Sequence, residues 1–173
     1  MTQTSLILTL IGPDRPGLVR MLAELVAERG GSWLESRMAR LAGQFAGIVE
    51  VGIPAAEIEG LAAALEGLQA QGLHVTVQAG ADAPAAATQA MLLLEVVGND
   101  RPGIVRDVTR ALWACGANIE ELTTDVRSGS FSGETLFRAV ARLSVPATDA
   151  TRLIRGALEN LGNELMVDIK PAE

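Results

Sequence analysis

Two short stretches carry residue types suited to chemistry: Asp14-Arg15-Pro16-Gly17 and Asp100-Arg101-Pro102-Gly103, 86 positions apart in a chain of 173 residues. Each sets a carboxylate and a guanidinium beside a Pro-Gly pair. An apolar run leads in (Leu6 to Ile11, Leu92 to Val97), and apolar residues at helical spacing lead out (Leu18, Leu22, Leu25, Val26; Ile104, Val108, Ala111, Leu112). Each copy therefore reads strand, tight turn, helix. Proline costs nothing at the first helical position, so Pro16 and Pro102 are expected to open the helices. Gly17 and Gly103 let another group approach the first free amides closely. A helix start with unpaired N–H donors and a positive dipole end favours a carboxylate or a phosphate.

The elements that must position these turns follow from the rest of the pattern. Trp33 to Leu41 reads as a strand with Glu35, Arg37 and Arg40 exposed, although its pattern is mixed. Phe45 to Ile53 alternates behind the turn residue Gly43 and reads as its hairpin partner. Ile58, Leu61, Ala62, Leu65 and Leu68 mark a second helix closed by Gly72, and Leu73, Val75 and Val77 mark a last strand. The order is βαββαβ. It recurs as strand Leu92 to Val97, helix Pro102 to Gly116, strands Ile119 to Val126 and Thr135 to Val145, helix Asp149 to Leu161 and strand Leu165 to Ile169. Phe137 matches Phe45 at an offset of 92, so the second copy has six more residues. They fall in its hairpin, where Arg127 to Glu134 stands in place of Gly43. A split βαβ of this kind closes an antiparallel sheet with both helices on one face, the ferredoxin-like arrangement. The fold class is α+β, with one domain over residues 1–80, a linker over 81–90 rich in alanine, and a second domain over 91–173. Half a chain buries a modest core, so the halves are expected to pack on each other or on a second chain.

Composition narrows the function. The formal charge is −7, and the thirteen arginines and single Lys170 are spread along the chain, which leaves no basic stripe for nucleic acid or anionic membrane. The polar start and short first apolar run point to a cytoplasmic protein. One cysteine, Cys115, and one histidine, His74, are too little material for a metal cluster or for Cys/His catalysis, and no cofactor is implied.

A βαββαβ unit with Asp-Arg-Pro-Gly after its first strand and Gly-Ala-Asn-Ile (Gly116 to Ile119) after its first helix resembles an ACT domain, and the resemblance covers nearly the whole chain. Two such domains with an extended second hairpin ending near Thr135-Leu136-Phe137 are similar to the glycine cleavage system transcriptional repressor family. The resemblance implies a non-catalytic sensor of a small amino acid, glycine first, which modulates a transcription factor by protein contact and does not bind DNA itself. A homodimer is expected. The runner-up is an amino-acid-binding regulatory subunit of a metabolic enzyme.

In ACT domains that bind amino acids, the ligand bridges the first turn of one domain and the interface with its neighbour. Carried onto this chain, the site residues are Asp14, Arg15, Pro16, Gly17 and Ser32 in the first copy, and Asn99, Asp100, Arg101, Pro102, Gly103 and Asn118 in the second. A zwitterion needs an anion site and a cation site close together; free helix amides offer the first, and Asp100 with Asn118 is the candidate for the second. Only the second copy has the asparagine, so it is expected to be the better furnished. The plainer alternative is that Asp14 and Asp100 cap their helices or hold the turn.

An enzyme reading rests on Arg15 and Arg101, since acylphosphatases share this fold and use an arginine in the corresponding loop; the second copy has no obvious asparagine on its third strand to position water. His74, Cys115, Trp33 and Trp113 read as structural, with the tryptophans in core or interface packing. Phe131, between serines in the long hairpin, is the aromatic placed to anchor a partner.

Overall fold

In the computed structural model, which describes residues 3–80, 89–128, 135–146, 149–162 and 165–172, the apolar runs ahead of the two turns are central strands of two separate sheets. The chain divides into two compact units, residues 1–83 and 84–173. The first unit runs β1 (Gln3–Pro13), α1 (Leu18–Ala27), β2 (Ser32–Leu41), β3 (Gln44–Pro54), α2 (Ile58–Glu66) and β4 (His74–Ala79), with short 3-10 turns on either side of α2. The second runs β5 (Gln89–Asn99), α3 (Ile104–Ala114), β6 (Asn118–Ser128), β7 (Thr135–Pro146), α4 (Ala150–Glu159) and β8 (Met166–Pro171). The strand orders are β2-β3-β1-β4 and β6-β7-β5-β8, with every pair antiparallel. Both are ferredoxin-like sheets.

Strand alternation decides which face takes the helices. Leu6, Leu8 and Leu10 lie opposite Val51, Val49 and Gly47, and the leucines and valines are buried with Leu18, Leu22 and Val26 of α1 and Leu61 and Leu65 of α2. Leu92, Leu94 and Val96 repeat this against Leu143, Ala141 and Ala139, covered by Ile104, Val108 and Leu112 of α3 and Ile154 and Leu158 of α4. Each fully buried leucine is worth roughly 1.5–3 kcal/mol, so these two clusters hold the units together. The other face of each sheet is not covered by its own helices. On the second sheet it carries an ion-pair ladder in which Arg138 meets Glu95 at 2.7 Å and Asp125 at 3.8 Å. On the first, Ile11 and Ile48 stand exposed.

The structure revises several expectations. Pro16 and Pro102 do not open the helices: they sit in the turn, and α1 and α3 begin two residues later at Leu18 and Ile104. The reason is the following glycine, whose φ of +92° at Gly17 and +84° at Gly103 is left-handed and ends a type II turn before any helical residue can follow. In the second copy that turn is closed by the Ile104 N–H donating to the Arg101 carbonyl at 3.2 Å. Arg127 and Ser128 belong to β6, paired with Leu136 and Thr135. The remainder of the expected hairpin loop, 129–134 with Phe131, lies outside the described residues, as does the expected linker over 81–88; β5 takes in Gln89 and Ala90. Trp33 packs partly buried against the first core, but Trp113 is 79% exposed because the buried stripe of α3 passes through Leu112, one residue away around the helix. Among the described residues no helix is long and apolar enough to cross a membrane.

Candidate functional site

Each Pro-Gly turn is pinned to its own hairpin, the first at the turn residue Gly43 and the second at Thr135, where β7 begins. The Asp14 N–H donates to the Gly43 carbonyl, and the Asp100 N–H donates to the Thr135 carbonyl, both at 2.8 Å. Neither carboxylate caps a helix: the residues ahead of α1 and α3 are Gly17 and Gly103, with no side-chain capping bond. The aspartates therefore hold the turn through their backbone, and the first helical amides are left without a side-chain acceptor.

The side chains around the two turns differ. In the first copy, Asp14 Oδ2 pairs with Arg40 Nε of β2 at 2.9 Å, while Arg15 Nη2 donates to the neutral Gln71 amide oxygen at 3.3 Å. In the second, Arg101 Nη1 pairs with Asp107 Oδ2 at 2.7 Å, and Arg106 Nη2 meets the other oxygen, Oδ1, at 2.9 Å. The hydrogen bond from Arg101, then that from Arg106, holds the Asp107 carboxyl below the usual aspartate range. Asp100 has no ion pair among the described residues.

The strand starts carry the rest of the expected site. Ser32 opens β2 opposite Gly52 and is exposed. Asn118 opens β6 opposite Ser144; its Nδ2 donates to Glu120 Oε1 at 2.7 Å, and the buried Ser144 hydroxyl donates to the same oxygen. A bulge between Ile119 and Glu121 leaves Glu120 without an opposite residue in the ladder.

The geometry separates what the sequence set close together. Asn118 lies across β7 from Met91 near the start of β5, whereas Asp100 follows Asn99 at its end. Eight residue steps of strand separate Met91 from Asn99, about 27 Å at the usual rise. Asp100 and Asn118 therefore stand at opposite ends of one sheet, and one domain alone cannot offer both to a single small ligand. The physical reason is the crossover: β5 and β6 both run antiparallel to β7, so they are parallel to each other, and the end of one is far from the start of the other. Asn99, Asp100, Arg101, Pro102 and Gly103 do come together at one end, as do Asp14, Arg15, Pro16 and Gly17.

Sequence reasoning passed over Arg40, Asp107, Glu120 and Ser144. A signal existed for Asp107, which stands where the first copy has Met21, and for Ser144, a hydroxyl between Leu143 and Val145. A cavity of about 420 Å3 opens at the start of α4, beside Asp149, Arg152 and Arg155, and none of the expected site residues lines it. Among the described residues no group of His, Cys, Asp or Glu side chains is placed to hold a metal ion.

Comparison with known proteins adds a family. The profile of the ACT domain matches residues 4–78 and again residues 90–171. An unknown protein from Galdieria sulphuraria is 28% identical, each chain covered over 99% of its length, with a TM-score of 0.86. A candidate glycine cleavage system transcriptional repressor is 16% identical over 99% of this chain and 100% of its own, with a TM-score of 0.70, a likeness of fold. No curated protein matches the chain.

Proposed function

The chain belongs to the ACT domain family, with two copies of the domain, and from that premise we propose a non-catalytic cytoplasmic regulator that senses a small amino acid, glycine first, and modulates a transcription factor by protein contact. The observation that carries the reading is the turn, present twice: a left-handed glycine, helix amides with no side-chain cap, and an Asp-Arg pair at the mouth. Free amides and a guanidinium suit a carboxylate, and an aspartate suits an ammonium, so the pieces match a zwitterion rather than a neutral or purely anionic ligand. Glycine leads because the tandem layout with an extended second hairpin is similar to that of the glycine cleavage system transcriptional repressors. A charge of −7 directs any control of transcription through a protein partner.

The protein acts as a homodimer in this reading. β2 and β6 are edge strands of ten and eleven residues, with Leu34, Leu41, Leu122 and Val126 exposed along them, and an open edge of that length invites pairing. Sedimentation finding only monomer well above micromolar concentration would contradict it.

Ligand-screened thermal unfolding of the full chain tests the sensing. A ligand at a hundredfold excess over its Kd stabilises the native state by about 2.7 kcal/mol, a shift that is easily read. Glycine or another small amino acid is expected to raise the midpoint; a full panel without effect refutes the reading. Capture of a metabolic enzyme in place of a transcription factor would favour the regulatory-subunit alternative.

A further inference from the structure

The motif is repeated letter for letter, yet its charges are spent differently in the two copies. In the first, the aspartate is consumed: Asp14 is paired with Arg40, and Arg15 donates to the neutral oxygen of Gln71 and has no ion pair among the described residues. In the second, the arginine is consumed: Arg101 and Arg106 both close on Asp107, whose side chain is only 19% exposed, and Asp100 has no ion pair among the described residues. Two substitutions between the copies produce the inversion. Arg40 corresponds to Val126, and Asp107 corresponds to Met21, so among the described residues Asp100 meets no guanidinium from its hairpin and Arg15 no carboxylate from its helix.

We propose that Asp107 determines which turn accepts a carboxylate: it occupies Arg101 as an internal counter-anion and bars carboxylates from the second turn, leaving Arg15 in the first turn as the group that receives the carboxylate of the ligand. This assignment rests on the amino-acid reading, and it reverses the expectation that the second copy holds the better furnished site for the whole ligand. A carboxylate arriving at Arg101 must compete with one held at 2.7 Å by the same protein, whereas at Arg15 it displaces only an amide oxygen at 3.3 Å. Charge-assisted bonds are about twice as strong as neutral ones, so the two turns are unequal even though their backbones are alike.

The test uses the full chain and a bare carboxylate. Acetate is titrated into 15N-labelled protein, and amide shifts at residues 18–20 are followed beside those at 104–106; the same spectra report that each variant is folded. In wild type the first set is expected to move and the second to stay. Asp107→Asn should make both sets move, and Met21→Asp, which copies the second turn into the first, should weaken the response at 18–20 about tenfold, as should Arg15→Gln. Equal movement of both sets in wild type, or movement at 104–106 alone, overturns the proposal, as does a response at 18–20 that Met21→Asp and Arg15→Gln leave untouched. No movement of either set also overturns it. If acetate behaves as expected while no amino acid binds, the polarity of the turns stands and the amino-acid reading fails.

Discussion

Replacing Gly17 or Gly103 by alanine isolates the backbone of the turn from its side chains. Both glycines are left-handed, at φ of +92° and +84°, where an L residue costs roughly 1–2 kcal/mol. Alanine also stiffens the unfolded chain, which returns about 0.4–1 kcal/mol. At Gly17 a Cβ would meet nothing within 4 Å, so no steric cost is added and the net loss is about 1 kcal/mol. At Gly103 the Cβ would stand 3.0 Å from Arg106 Nη2, the far end of a flexible side chain that is 75% exposed. The arginine can swing away and give up its pairing with Asp107, which adds up to about 1 kcal/mol for an exposed pair. Gly103→Ala should therefore cost at least as much as Gly17→Ala. For units of this size each kcal/mol lowers the midpoint by about 4–8 °C, well within calorimetric reach. Asparagine visits the left-handed region more readily than alanine, so Gly17→Asn should fall between wild type and Gly17→Ala. A neutral or stabilising Gly17→Ala, or an asparagine variant as damaged as the alanine one, would refute the assignment of the turn's conformation.

Three further outcomes are expected. Pure protein should give no gel shift with duplex DNA at physiological salt, because a chain of charge −7 without a basic stripe is repelled; salt-sensitive micromolar binding would contradict this. Acetyl phosphate should not be turned over, and hydrolysis by wild type that Arg101→Ala abolishes would restore the acylphosphatase reading. Asp107 is held below its ordinary value of 3.8 by Arg101 and Arg106, so its contribution to stability is present above that value and is lost as pH falls through the lowered one; urea midpoints of wild type and Asp107→Asn should converge in acid below pH ~4, and a gap independent of pH would refute the pairing.

Much of the fold was legible because one face of each sheet is buried and the other is not. Leu6, Leu8 and Leu10, or Phe137, Ala139 and Ala141, alternate with polar or less buried neighbours, and that period favours one strand register and one helix-bearing face. The duplication then allowed each copy to correct the other. β2 was harder to read because it is an edge strand: among Ser32 to Leu41 only Trp33 and Met38 pack against the core, so no clean period survives. Pro16 and Pro102 misled for a different reason. Proline fits both the first helical position and the second position of a type II turn, and what decides is the sign of φ at the next residue, which a glycine leaves open.

The candidate site was legible in its letters and not in its pairing. Asp100 and Asn118 are eighteen positions apart, close enough to suggest one site, but a helix and a crossover lie between them, and two parallel strands place the end of one far from the start of the other. Conversely, Asp14 and Arg40 are distant in sequence and touch in space. Their contact depends on two facts that no motif carries: the Asp14 N–H is tied to Gly43 at the hairpin tip, and Arg40 pairs with Phe45 one register step from that tip. In the second copy Val126 stands at the corresponding place, opposite Phe137, and Asp100 has no ion pair among the described residues. The duplicated four-residue motif thus preserves the shape of the turn, while residues on the following helix and strand decide which of its two charges is left for a ligand. Divergence after duplication needs no change in the motif to make its copies do different work.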